Sequence, residues 1–154
     1  MSFRISGVAP QKVSHLFGLS DEELEKHCAK RVTVNGHGFP ERIEMRDAQP
    51  GEVLLLVNYE HQPADTPYRS RHAIYVREGA TDAYTSIDTI PNVLATRLLS
   101  LRAFNANHMM VEADVVEGAS AAEAIERMFA NPRVEYLHAH YAKPGCFAAQ
   151  IVRA

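Results

Sequence analysis

The sequence predicts an α+β fold: a mostly antiparallel sheet, curled or closed as a barrel, with two or three short helices packed on it. Three observations carry this expectation. Short apolar or alternating segments bounded by Gly, Pro, Asn and Asp outnumber helical patterns along the chain. Few strand-to-strand connections are long enough to hold a full helix, so parallel crossovers are scarce. Between Arg97 and Glu117, apolar residues alternate on both sides of Asn105-Ala106-Asn107-His108, the pattern of a hairpin.

Taken in order, the chain opens with a strand at Phe3 to Ser6 and a short helix around Gln11 to Phe17. A second helix follows Ser20, which with Glu23 has the spacing of a capping box, and Asp21, Glu22 and Glu23 suit the positive end of its dipole. Arg31 to Asn35, Ile43 to Asp47 and Val53 to Tyr59 read as strands. The loop Gly36 to Pro40 and the Gln49-Pro50-Gly51 turn separate them. The third of these begins with five aliphatic residues and is therefore central. His72 to Arg77 reads as another strand, and Pro91 to Thr96 as one or two helical turns with Pro91 at the first position.

Matching apolar to apolar across the hairpin pairs Leu99 with Val115, Leu101 with Ala113 and Ala103 with Val111. The other face then sets Ser100 opposite Asp114, Arg102 opposite Glu112, and Phe104 opposite Met110. Ser120 and Glu123 form a second capping box, Ile125, Met128 and Phe129 a buried stripe, and Asn131-Pro132 a stop. Val134 to Tyr141 and Cys146 to Val152 close the chain as strands joined through Ala142-Lys143-Pro144-Gly145.

With 154 residues, 46% hydrophobic and 23% charged, the chain has the length and composition of one globular domain, residues 1–154, able to fold without disulfide or metal. No repeat or composition shift divides it. A net charge of −3 gives no positive field for phosphate backbones or anionic lipid, so nucleic acid and membrane surfaces are not expected partners. No apolar run approaches the roughly 20 residues of a membrane span. The first ten residues lack a signal-peptide core, and Cys28 and Cys146 have no C-x-x-C spacing, which fits a cytoplasmic protein with free thiols.

Three groups of residues can carry chemistry. His138 and His140 are two apart on a strand, so both rings leave one face and can converge on a metal or a substrate. Whether Cys146 joins them depends on the turn: a two-residue loop turns the thiol away, a three-residue loop brings it to the histidine face. Ordinary structural histidines are the default here, because a zinc site asks for three or four ligands and no specific motif supplies the remainder. No cofactor is therefore predicted.

The second group, Tyr59-Glu60-His61 with Asn58, leaves the end of the aliphatic strand, although adjacent residues face opposite ways and His61 needs a bend to work with Glu60. The third, Tyr68-Arg69-Ser70-Arg71-His72, offers guanidinium forks for a carboxylate or phosphate, or else a charged edge that discourages aggregation. Arg102 reads first as a cross-strand partner of Glu112 and second as an anion ligand.

Asn58-Tyr59-Glu60-His61, Tyr68-Arg69, Ile74-Tyr75-Val76-Arg77-Glu78, Leu101-Arg102-Ala103-Phe104 and Tyr136-Leu137-His138 with Ala142 to Phe147 together resemble a bacterial family, the domain of unknown function numbered 1203. The resemblance implies a self-contained bacterial domain and no particular catalytic residue. Three functions then compete. The first is a small-molecule binding domain, its ligand anionic, with a pocket drawn from Tyr59, Glu60, His61, Tyr68, Arg69, Arg102, His138 and His140. The second is a hydrolase-like enzyme using His138 and His140 on a metal, or paired with Cys146. The third is an interaction subunit, including a homo-oligomer, that presents exposed strand edges and Tyr59, Tyr68 and Tyr141.

Overall fold

The computed structural model describes residues 1–154 and contains two mostly antiparallel sheets with three short α-helices. The first sheet has the order β7 (Thr85–Ile87), β1 (Phe3–Ser6), β11 (Phe147–Arg153), β10 (Tyr136–Tyr141), β8 (Leu98–Phe104), β9 (Met110–Glu117). The second has the order β2 (Lys30–Thr33), β5 (Val53–Gln62), β6 (Ser70–Arg77), β3 (Pro40–Glu41), β4 (Arg46–Asp47), and only the β3 to β6 pairing is parallel. Both sheets are open, so the curl stops short of a barrel. As its aliphatic start predicts, β5 lies inside its sheet, between β2 and β6.

One buried core joins the sheets, drawing Leu55, Val57, Ile74 and Val76 from the second and Ile5, Leu101, Leu137 and Ile151 from the first. At roughly 1.5 to 3 kcal/mol per fully buried aliphatic side chain, this shared core is what holds the two sheets in register with each other. Helix α1 (Asp21–Lys26) is capped as expected, Ser20 Oγ accepting the Glu23 amide at 3.2 Å. The segment Gln11 to Phe17 forms two 3-10 turns, Pro10–Lys12 and Ser14–Leu16, and α2 (Asn92–Ala95) follows Pro91. Helix α3 (Ala121–Phe129) buries Ile125, Met128 and Phe129. Its predicted capping box does not form. A 3-10 turn at Gly118–Ser120 runs straight into the helix, and the Ser120 side chain caps nothing.

Three further expectations are corrected. In the β8–β9 hairpin, Phe104 pairs with Met110 as predicted, but a bulge follows at once, and beyond it every pair moves by one: Ala103 with Glu112, Arg102 with Ala113, Leu101 with Asp114, Ser100 with Val115, Leu99 with Val116. Edge strand β9 tolerates this because its outward residues, such as Val115, meet solvent. Arg102 therefore does not face Glu112. Asp114 instead takes Arg127 of α3 at 2.5 Å.

Ile43 to Asp47 is not a strand. The buried Glu41 carboxylate accepts the Ile43 amide (2.9 Å) and the Glu44 amide, folding the segment back on itself, and only two-residue β3 and β4 remain. The loop between β10 and β11 is neither of the two lengths anticipated. It has four residues: the Tyr141 amide donates to the Cys146 carbonyl at 2.9 Å, with Gly145 at φ 80° closing the turn. A bulge after Ala139 sets His140 opposite Phe147.

Candidate functional site

The site lies on the face of β10 that carries Tyr136, His138 and His140. Strand period 2 puts these three side chains together and turns Leu137, Ala139 and Tyr141 to the other side. Across β8, Phe104, Arg102 and Ser100 stand opposite them in the same order. The end of β5 bulges away from β6 between Tyr59 and Gln62, and this bulge delivers His61 from the second sheet onto the first. Its ring stacks on Phe147 (centroids 5.5 Å, planes within 8°) and meets His140 edge-on at 4.9 Å and His138 at 6.1 Å.

Ligand nitrogens of His61, His138 and His140 lie within 4.8 Å of one another. Each ring keeps one buried nitrogen without a hydrogen-bond partner: Nδ1 of His61, Nδ1 of His138 and Nε2 of His140. The cause is clearest at His140, which is 1% exposed. Its Nδ1 sits 3.0 Å from the Gly145 carbonyl, an acceptor, so Nδ1 carries the proton and Nε2 presents a bare lone pair. Such orphaned acceptors are rare in protein interiors and ask for an explanation.

Burial, with the charge of Arg102, lowers His61 to about 4. Burial, then the charges of His61 and Arg102, lowers His138 to about 3. Burial and Arg102 lower His140 to about 3, against a small opposing effect of its bond to Gly145. All three are therefore neutral at pH 7, the protonation state that ligates metals. Three imidazoles around a tetrahedral ion at about 2.05 Å would hold their nitrogens roughly 3.4 Å apart. Each ring needs to move inward by less than about 1 Å, so the donor set fits.

His61 and His138 line a cavity of about 410 Å³, with Tyr59, Gln62 and Tyr136 around it and Lys12 at its edge, while His140 sits behind. Gln62 Nε2 donates to the Tyr136 hydroxyl at 2.8 Å, and that hydroxyl is hydrogen-bonded to His108 Nδ1 at 2.9 Å. The cavity thus has a fixed polar wall. A larger cavity lies elsewhere, and donor chemistry, not size, marks this one as a candidate metal site.

Of the residues singled out from sequence, Tyr59, His61, Arg102, His138 and His140 converge. Tyr68 reaches the same face only through Phe104, its ring 6.0 Å away edge-on. Glu60 points the other way, as strand alternation requires, and is held by Arg69 (3.2 Å) and Arg71 (3.0 Å), so it cannot orient His61. Arg69 also lies near Asp65 at 3.8 Å and is over half exposed. The Cys146 thiol receives Arg42 Nη2 at 2.9 Å and hydrogen-bonds to no histidine. Gln62, His108 and Arg42 carried no signal in the sequence, since nothing local distinguishes them from ordinary surface polar residues.

No helix is long and apolar enough to cross a membrane. A family model described as protein of unknown function (DUF1203) matches residues 38–153, a span that includes all three histidines. No curated protein matches the chain, and no solved structure does.

Proposed function

The chain belongs to the DUF1203 family of proteins of unknown function; because that membership brings no activity with it, we propose a function from the site itself. The domain binds one divalent transition-metal ion through His61, His138 and His140 and uses it to hold a small anionic ligand in the adjoining cavity. The observation that carries this reading is the triplet of neutral rings, two buried and one half-buried, each with a buried orphaned nitrogen, whose ligand atoms lie within 4.8 Å of one another.

The anionic ligand follows from charge. Three imidazoles are neutral, so a bound ion keeps its full 2+ charge, and the nearest fixed charges, Arg102 and Lys12, are also positive. A negatively charged group at the open coordination position, against Tyr59 and Gln62, offsets both. The domain's two free cysteines support a cytoplasmic location as part of this proposal, since a reducing compartment keeps thiols unpaired.

Calorimetric titration of chelator-stripped protein with Zn²⁺ tests it. One equivalent binds tightly in the wild type, His61→Gln, His138→Gln and His140→Gln each weaken binding at least tenfold, and acetate increases apparent zinc affinity. Absence of saturable zinc binding, or wild-type affinity in all three variants, overturns the reading.

A further inference from the structure

A second cavity, of about 730 Å³, shares no lining residue with the histidine cavity. Arg42 forms part of its wall and is one of the largest fully buried side chains, 2% exposed. Its Nε donates to the Phe147 carbonyl at 2.9 Å, one Nη to the Pro40 carbonyl, and the other Nη to Cys146 Sγ at 2.9 Å. None of these acceptors is a carboxylate. A guanidinium has five N–H groups, so one on each Nη stays uncommitted. Burial lowers the pKa of Arg42, and the nearby charge of Glu41 opposes this only in part.

Tyr141 supplies the second observation. Its ring lies between two guanidinium groups, 4.8 Å from that of Arg42 and 5.4 Å from that of Arg97. The side chain is 4% exposed, yet its hydroxyl has no hydrogen-bond partner. Burial pushes the phenol up to about 12, so the hydroxyl keeps its proton at neutral pH and is an unused donor on a residue that lines the cavity. Arg97 is already paired with Asp47 at 2.6 Å, whereas no carboxylate hydrogen-bonds Arg42, although Glu41 lies close enough to act on its charge. Lys143 adds a cation and Glu117 an acidic group to the lining, and Leu56, Ile74 and Leu98 give it an apolar wall.

A buried charge without a partner is strongly unfavourable, and an anion in the cavity removes that penalty. We propose that this cavity binds a small organic carboxylate, its two oxygens on the free Arg42 N–H groups and the Tyr141 hydroxyl, its apolar body against Leu56, Ile74 and Leu98. Two guanidinium N–H groups and one hydroxyl supply three donors for the two oxygens of one carboxylate.

Titration calorimetry of the full chain with benzoate, its neutral isostere benzamide, and inorganic phosphate tests the assignment. Benzoate binds saturably, with and without chelator, and benzamide at least about tenfold more weakly, as expected for losing a hydrogen bond to a charged group. Tyr141→Phe, which keeps the ring and its packing, weakens benzoate about tenfold or more; Arg42→Met abolishes binding if that variant folds. No saturable benzoate binding, equal affinity for benzamide, or an unchanged affinity in Tyr141→Phe overturns the proposal. Phosphate binding in preference to benzoate overturns the carboxylate assignment.

Discussion

Two neutral histidines buried in the interior make the metal-free domain sensitive to acid, and the size of the effect follows from their environment. An unfolded histidine titrates near 6.5, whereas His138 and His140 are held at about 3 in the fold, chiefly by burial. Their folded values are lowered, so as pH falls the unfolded chain takes up protons first and stability is lost. The loss begins near pH 6.5 and continues toward pH 3; above pH 6.5 these rings contribute nothing. At pH 5 the unfolded ring is almost fully protonated and the folded ring almost not, which makes the difference about 2 kcal/mol per ring, or about 4 kcal/mol for the two. For a chain of this length that lowers the melting temperature by roughly 8 to 16 °C between pH 7 and pH 5. His140→Gln removes one titrating ring and recovers about 2 kcal/mol of the drop. The assay is thermal unfolding by circular dichroism at both pH values with chelator present. Other groups titrate over the same interval, but they contribute equally to wild type and variant and cancel in the comparison. An equal pH-dependent drop in wild type, His138→Gln and His140→Gln refutes the reasoning.

Other expectations follow from the same geometry. Arg102→Met removes the cation that depresses all three histidines and opposes a bound metal, so zinc affinity measured by calorimetry rises about tenfold. Glu60→Gln breaks the exposed pairs with Arg69 and Arg71, changing stability in a denaturant titration by less than about 1 kcal/mol and leaving zinc affinity unaltered. Gly145→Ala forces a side chain into a left-handed turn residue at φ 80° and destabilises the domain by about 1 kcal/mol or more; it also disturbs the carbonyl that fixes His140, so zinc affinity falls with it.

Local pattern made some of this architecture legible and hid the rest. The aliphatic start of β5, the Ser20 cap and the buried stripe of α3 are set by neighbours within one element, and they stand where the pattern puts them. The register of β8 on β9 is right at Phe104 and wrong after it, because one bulge moves every later pair and alternation alone does not reveal a bulge. His138 and His140 share a face by strand geometry, which the sequence shows. Their third partner, His61, arrives from another sheet by way of a second bulge, a tertiary fact with no local signature. Arg42 was invisible for a related reason: the Glu41 carboxylate folds a strand-like segment into a turn and carries the guanidinium inside.

X-ray absorption spectroscopy of the zinc-loaded protein tests the three-histidine centre most directly, because it counts ligands by type. The arrangement of His61, His138 and His140 predicts three imidazole nitrogens at about 2.0 to 2.1 Å and one oxygen ligand, with one nitrogen lost in His61→Gln. A sulfur ligand at about 2.3 Å, or a shell with fewer than three imidazoles, contradicts it.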